Sequence, residues 1–184
     1  MLQLTGVHHN LRGAQIVGGS VTCGTGGPYT TDFTLAAPLA DINKALVLPL
    51  LGGTSFPGGS ASGDYYRWSL TAPNNLRVEV YNSLFSTLPK QFWLVVEYLA
   101  CRGRVAAATN ITGTAAADFD VTISPPAGAR LDRAIPALTC LPLDNQGNLM
   151  RVGLSMPGAD TVRFGFGGSA SNTSKPVQAD VMFF

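Results

Sequence analysis

The chain contains 184 residues with a mass of 19.2 kDa, which suits one ordinary domain or two small ones. Charged residues make up 12% of the chain, hydrophobic residues make up 46%, and the formal net charge is +1, which excludes a disordered chain and a strongly basic nucleic-acid-binding protein. No apolar stretch is long enough to span a membrane, and residues 1–13 lack a basic segment followed by an apolar run, so we expect neither a membrane partner nor a secretory signal.

The first predicted elements lie before residue 65. Residues 36–44 can form one short helical turn, and residues 45–51 are a continuous apolar run, which predicts a strand buried on both faces. Pro49 lies inside this run and favours a sheet edge, a bulge or a strand end, because proline has no N–H to donate to a ladder. Residues 52–64 are mostly Gly and Ser and predict a long loop.

Alternation of apolar and polar residues predicts the strands further along the chain. It is found in residues 76–80, 118–123 and 162–166, and residues 92–98 are rich in aromatic and β-branched side chains. Residues 125–133 allow only one more short helical turn. Because strands recur at short intervals with turn residues between them, we predict an all-β, antiparallel protein.

Short motifs recur in the same order in the two halves of the chain. The pattern R-x-x-L-[ST]-x-P begins at Arg67 and again at Arg151, and each copy precedes an alternating segment that carries Arg77 or Arg163. An ordered recurrence of this kind indicates a tandem duplication. We therefore predict two antiparallel, jelly-roll-like β-sandwich repeats, residues 11–99 and residues 100–184, after an N-terminal arm of residues 1–10.

Four arginines of these motifs lie on strands that the repeat places in hairpins. They are Arg67, Arg77, Arg151 and Arg163. We expect their aliphatic stems to cover the sheet while their guanidinium groups stay in water. The alternatives are contacts between subunits and ion pairs with Asp32 or with Asp118, which occupies the matching place in the second half.

Aromatic residues form a second set of candidates for an interface or ligand surface. Tyr65, Tyr66 and Trp68 are expected to pack in the core or in an interface, and the alternative is that they stack on sugars. The sequence ends in an apolar segment whose last residue is Phe184. We expect this segment either to complete a strand or to dock in a neighbouring molecule, because exposed apolar surface favours association.

The sequence contains no pattern that predicts catalysis, a metal site or a cofactor. Its two histidines, His8 and His9, are adjacent, and neighbouring residues on a strand point to opposite faces. A G-x-S-x-G motif and a C-x-x-C motif are both missing. Cys23, Cys101 and Cys140 can be free thiols, or one disulfide with a thiol left over. We therefore expect a protein that is not an enzyme, with no catalytic, cofactor-binding or metal-ligating residues.

The first half of the chain resembles the small β-sandwich modules of tailed-bacteriophage virion proteins. The resemblance is carried by Arg12-Gly13, by D-I-N-K-A-L-V in residues 41–47, by Y-R-W-S-L-T in residues 66–71 and by F-W-L-V-V-E-Y in residues 92–98. The second half keeps an Arg-Gly opening and the Arg151 segment but lacks the V-V-E-Y ending. Members of this family are tail, tail-fibre or baseplate-associated proteins.

This resemblance implies a structural protein that works without chemistry and without a cofactor, in a virion assembled in the host cytoplasm. Its expected partners are other copies of itself, as a trimer or hexamer, and other virion proteins of the tail, baseplate or fibre-attachment region. The first alternative is a decoration protein of the capsid surface. The second is a carbohydrate-binding receptor module for a host surface glycan, which would use Tyr65, Tyr66 and the loop of residues 52–64.

Overall fold

The structure is a computed structural model that describes residues 11–50, 65–112, 116–142, 152–167 and 174–184, with the backbone alone for residues 24–26 and 82–90. The strands of residues 11–99, the first half, are β1 (Leu11–Thr34), β2 (Ala45–Leu50), β3 (Tyr65–Ala72) and β4 (Asn75–Tyr98). Those of residues 100–184, the second half, are β5 (Gly103–Ile111), β6 (Ala117–Thr122), β7 (Ala134–Pro142), β8 (Val152–Gly158), β9 (Thr161–Phe166) and β10 (Lys175–Phe183). The protein is therefore all-β.

The strands form two antiparallel sheets. The large sheet has seven strands in the order β1-β4-β3-β7-β10-β5, and β2 pairs with another part of β4. The small sheet has three strands in the order β6-β9-β8. Among the described residues, the helical segments are two single 3-10 turns, Ile42–Lys44 and Leu131–Arg133, and no helix is long and apolar enough to cross a membrane.

The two longest strands, β1 and β4, curl the large sheet around the core of the first half. Each has 24 residues, and the two strands pair from Leu11–Tyr98 to Thr34–Asn75 with register shifts between. Val78 and Val95 lie in the same core although an odd number of positions separates them. Because successive side chains of a strand alternate between faces, β4 must exchange its two faces between these residues.

The described residues contain three clusters of buried side chains. The first lies inside the curled part of the large sheet and contains Tyr66, Trp68, Leu76, Val78 and Trp93 among others. The second lies between the small sheet and β5 and β10 of the large sheet, and includes Val162, Phe164, Val177, Val181 and Phe183. The third joins the two halves and consists of Leu46, Val96, Tyr98, Ala137 and Met182.

Most of the elements predicted from the sequence are confirmed. The alternating segments are strands, both short helical turns are present, and β2 is buried on both faces from Ala45 to Val47. Pro49 is tolerated because β2 pairs only with β4 among the described strands, so it lies at a sheet edge. The predicted arm of residues 1–10, the predicted loop of residues 52–64 and Arg151 lie outside the described residues.

The strand connectivity differs from the expected one in two respects. The predicted strands of residues 76–80 and 92–98 are parts of one continuous strand, β4, which pairs with the equally long β1. In addition, β3 pairs with β7 from Tyr65–Pro142 to Arg67–Cys140, so one sheet runs across the boundary between residues 99 and 100. Pairing between strands so far apart in sequence leaves no local pattern, and for this reason the sequence did not predict it.

Candidate interaction surfaces

The outward face of the β3–β4 hairpin carries a cluster of polar and aromatic side chains. Alternation directs Tyr66 and Trp68 inward, so Tyr65 and Arg67 point outward. Arg67 lies opposite Glu79, and Tyr65 lies opposite Tyr81. Cross-strand neighbours on one face are close enough for direct contact.

Glu79 holds this cluster together. Its carboxylate accepts hydrogen bonds from the Tyr65 hydroxyl and from the Arg67 guanidinium. The guanidinium carbon of Arg67 lies 5.3 Å from the centre of the Tyr65 ring, and the Tyr65 and Tyr81 rings stack with their centres 6.0 Å apart. Burial and the hydrogen bond to Glu79 raise the pKa of Tyr65 to about 12, so the phenol remains a donor at neutral pH.

Cys140 lies next to this cluster on β7. It is the ladder partner of Arg67, and its thiol is 3.7 Å from the Pro176 carbonyl oxygen. Burial raises the pKa of Cys140 to about 12, which keeps the thiol protonated and unreactive at neutral pH. None of Cys23, Cys101 and Cys140 forms a disulfide, so the structure has the state without a disulfide that the sequence had left open.

Tyr66 and Trp68 are core residues, and their assignment to a possible interface or ligand surface is corrected accordingly. Each is only 1% exposed, and their ring centres are 5.6 Å apart. The indole of Trp68 donates a hydrogen bond to the Val47 carbonyl at 3.4 Å. The alternation of β3 explains this placement, because Tyr66 and Trp68 share its inward face with Leu70. Neither ring is available to a sugar.

Arg77 forms an ion pair with Asp32 on the outward face of the first half. The two residues are ladder partners on β4 and β1, and two hydrogen bonds of 2.9 and 3.0 Å join the guanidinium to the carboxylate. Hydrogen bonds from Arg77 and from Asn75 lower the pKa of Asp32 to about 2. The ion pair with Asp32, one of the alternatives that the sequence left open for Arg77, is therefore observed.

Arg163 makes the corresponding ion pair in the second half, mainly with Asp120. Its guanidinium donates to the two Asp120 carboxylate oxygens at 2.7 and 2.8 Å, whereas the closest Asp118 oxygen is 3.7 Å away. The ion-pair partner in the second half therefore lies two ladder positions from Asp118, the residue that the sequence matched with Asp32. Alternation could not distinguish the two aspartates, because both point to the same face of β6.

Phe184 packs against the first half of the same chain. Its ring meets Tyr98 edge to face with the centres 4.8 Å apart, and its N–H donates to the Arg133 carbonyl at 2.9 Å. The preceding residues form β10, which pairs with β5 on one side and β7 on the other. The expectation that the apolar end completes a strand is therefore confirmed.

The contact between the two halves has a buried polar edge. Arg104 on β5 donates a hydrogen bond of 3.2 Å to the Ala45 carbonyl in the first half and lies 3.4 Å from the Asp180 carboxylate. Burial raises the pKa of Asp180, and the charge of Arg104 opposes this effect. Arg104 therefore fixes the position of the second half on the first by a directional bond.

A shallow pocket of about 200 Å³ lies at the start of β1 and contains Glu97. The Glu97 carboxylate accepts hydrogen bonds from the backbone N–H groups of Ala40 and Asp41 at 2.8 and 3.0 Å, and the Arg12 Nε atom is 3.5 Å away. The two backbone hydrogen bonds anchor the segment that leads into the first 3-10 turn, and Arg12 joins Glu97 to β1. These contacts give the buried Glu97 carboxylate a structural role in the fold.

The structure reveals one surface that the sequence did not predict, the apolar face of the first half. Ladder partners on β1, β4 and β2 form rows across the sheet. In two successive rows, every residue on the outward face is apolar or a glycine. The rows are Gly18, Phe92 and Leu50, and then Ile16, Leu94 and Leu48. The exposed fractions reach 64% for Ile16, 42% for Phe92 and 40% for Leu50. The signal was present in residues 45–51, where apolar residues occupy both faces of a strand.

The outward face of β5, β10 and β7 in the second half carries charged and amide side chains among its apolar ones. There the rows across β5, β10 and β7 contain Arg104 with Met182 and Ile135, and then Ala106 with Asp180 and Ala137. Gln178 follows on β10 beside Ala108. The exposed apolar face is therefore a property of the first half.

Comparison of the chain with family models, with curated proteins and with solved structures finds no match in any of the three. Among the described residues, no group of three or more His, Cys, Asp or Glu side chains is placed to hold a metal ion.

Proposed function

We propose that the chain is a non-enzymatic structural protein of a bacteriophage virion, which associates with copies of itself and docks other proteins in the tail, baseplate or fibre-attachment region. The observation that supports this proposal most strongly is the exposed apolar face of the first half. Such a patch on a soluble protein marks a site of protein association. The partners would be other copies in a trimer or hexamer and neighbouring virion proteins.

We further propose that the two halves are copies of one β-sandwich module of jelly-roll type. The β3–β4 and β8–β9 hairpins support this, because Ser69 faces Arg77 and Ser155 faces Arg163, and each ladder shifts once before a two-residue turn. The outward ion pairs of Arg77 and Arg163 also correspond. Each half has one 3-10 turn immediately before β2 or β7.

Two other functions use the same fold in different ways. A capsid decoration protein would bind the head lattice through the same apolar face, and the geometry supports it as an alternative. A carbohydrate-binding receptor module is less well supported, because Tyr66 is buried and the Tyr65 ring already contacts Arg67 and Tyr81. The loop of residues 52–64, which that proposal also needs, lies outside the described residues.

Gold labelling of intact virions with an antibody against this chain tests the proposal. Label at the tail, baseplate or fibre attachment is the expected result. Label over the head would replace the tail assignment by the capsid decoration alternative. The complete absence of label from the particle, with the antibody shown to bind the purified native chain, would contradict a virion role.

A further inference from the structure

We propose that the apolar face of the first half binds the same face of a second copy of the chain, in a twofold-symmetric contact. This inference rests on the proposed function, because it specifies the contact through which the structural protein assembles. It concerns the two rows formed by Ile16, Gly18, Leu48, Leu50, Phe92 and Leu94.

The chemistry of this face requires a protein cover. The six positions carry no charge and no hydrogen-bonding side chain, and the side chain with the largest exposed fraction, Ile16, is 64% exposed. The central strand, β4, is paired on both sides here, with β1 and with β2, so its backbone donors and acceptors are already used. An occupant of the face itself would therefore contact it through side chains, and among the described strands of this face, strand addition is open only at the outer edges of β1 and β2.

The occupant can be inferred from how the same surface packs within the chain. The next row of this face, Ala14, Val96 and Leu46, continues the apolar pattern, and Val96 and Leu46 are buried against the second half. The residues that cover them include Met182 and its ladder partner Ile135. Met182 and Ile135 hold the same places on β10 and β7 that Val96 and Leu46 hold on β4 and β2.

The contact between the halves is therefore a contact between two faces of the same kind. Tyr98 and Phe184 reinforce this, because Tyr98 is the last residue of β4, Phe184 comes directly after β10, and the two rings touch each other. In an isologous interface, the same surface patch is used on both sides, so equivalent residues contact each other. The exposed rows extend this surface without interruption.

The first half of a second copy fits the exposed rows better than its second half does. On the second half, the corresponding rows carry Asp180 beside Arg104 and then Gln178. Packing these groups against Phe92 and Leu94 would remove the remaining solvent contact of the Arg104–Asp180 ion pair and bury the Gln178 amide without a new partner, which is unfavourable. An isologous contact between two first halves buries apolar side chains on both sides and gives even-numbered assemblies, so it selects a hexamer over a trimer.

Sedimentation equilibrium of the full-length chain and of two matched lysine variants tests the inference. Ile16→Lys places a charge in the apolar face, on the edge strand β1. Ala106→Lys is the control, because Ala106 is exposed at the corresponding position on edge strand β5, beside Asp180. Leu50→Lys at the end of β2 is a second disrupting variant. Circular dichroism and thermal unfolding establish that each variant is folded.

The expected result is an even-numbered wild-type assembly whose dissociation constant rises roughly tenfold or more in Ile16→Lys and Leu50→Lys and stays unchanged in Ala106→Lys. A wild-type monomer or trimer would overturn the inference. So would disrupting variants that are folded and keep the wild-type mass, since another protein or another part of the chain would then cover the face. A trimer would contradict the twofold contact but leave the proposed virion function standing, and so would an even-numbered assembly that these variants leave intact. Virions without gold label would contradict the proposed virion function but not the twofold contact.

Discussion

In the two halves of the molecule, the central strands β4 and β10 carry opposite kinds of side chain on their outward faces. Leu94 lies between Ile16 and Leu48 in the first half, whereas Asp180 lies between Ala106 and Ala137 in the second. The inward faces of both halves are apolar, because each covers a core. The comparison shows that the fold constrains the inward face of these strands and leaves the outward face free to acquire a function.

The halves also differ in how their strands turn the corner around the core. In the first half, β1 and β4 continue through the corner as single strands. In the second half, β5 and β6 are separate strands in different sheets, and so are β10 and β9. The first half is thus a curled part of one sheet, while the second half packs two sheets on each other.

The largest effects are expected from removing a core ring in either half, which tests whether the halves unfold together. Trp68→Ala and Phe164→Ala should each lower the free energy of unfolding by about 3–5 kcal/mol, because each leaves a cavity. Both tryptophans of the chain lie in the first half, so their fluorescence reports on that half alone. Since the β3–β7 pairing joins the halves, Phe164→Ala should lower the urea midpoint detected by fluorescence as well as that detected by circular dichroism. An unchanged fluorescence midpoint would show that the first half is independent.

The next largest effect is expected at the polar edge of the contact between the halves. Arg104→Ala removes the hydrogen bond to the Ala45 carbonyl and leaves the half-buried Asp180 without its ion pair, and it should cost about 2 kcal/mol. Arg102→Ala is the control, because the Arg102 guanidinium donates to the Ala127 carbonyl on the exposed surface. Urea unfolding at neutral pH measures both variants, and equal costs would contradict the role assigned to Arg104.

The same pair gives a pH dependence with a definite sign. Burial raises the pKa of Asp180 in the folded state, so the folded protein holds this proton more tightly than the unfolded chain. The associated stability is complete below the unfolded pKa of about 4 and is lost as the pH rises through the folded value. Arg104→Ala should enlarge this loss, because it removes the charge that opposes the shift. Urea midpoints between about pH 4 and pH 7 measure it, and Asp180→Asn in the same background should abolish the difference.

A smaller change in stability is expected when the second half is given the outward pattern of the first. The double variant Arg104→Leu/Asp180→Leu replaces a half-buried ion pair by apolar side chains, and its free energy of unfolding should stay within about 1–2 kcal/mol of wild type. Its solution mass should rise above that of the wild type, because a second apolar face becomes available. A folded variant with the wild-type mass would show that apolar character alone does not make this face associate.

The smallest effects are expected from the outward ion pairs, which are alike in the two halves. Asp32 has a pKa of about 2 in the folded state, so its contribution is present above the unfolded pKa of about 4 and is lost as the pH falls towards 2. Asp32→Asn should therefore lower the stability slightly at neutral pH and reduce the acid sensitivity of unfolding in this range by the same small amount. Asp120→Asn is the matched variant, since Arg163 lowers the pKa of Asp120 in the same way. A large loss at neutral pH would contradict the description of these pairs as surface interactions.

The sequence predicted the parts of this fold that depend on local patterns. Alternation was sufficient to place the strands that contain residues 76–80 and 162–166, and the inward direction of Trp68 follows from the same rule. Arg163 pairs with Asp120 and not with Asp118 because of the ladder register between β6 and β9. Alternation cannot predict this, because residues two positions apart point to the same face. The exposure of Ile16 and Phe92 depends on which part of the outward face the second half covers, and that is a matter of tertiary packing.

Light scattering of the purified wild-type chain tests most directly whether this protein assembles through its own surface. The account predicts a discrete species of six times the 19.2 kDa chain mass, held by contacts that include the apolar face. A monomer at every concentration up to that at which the chain remains soluble would contradict self-assembly.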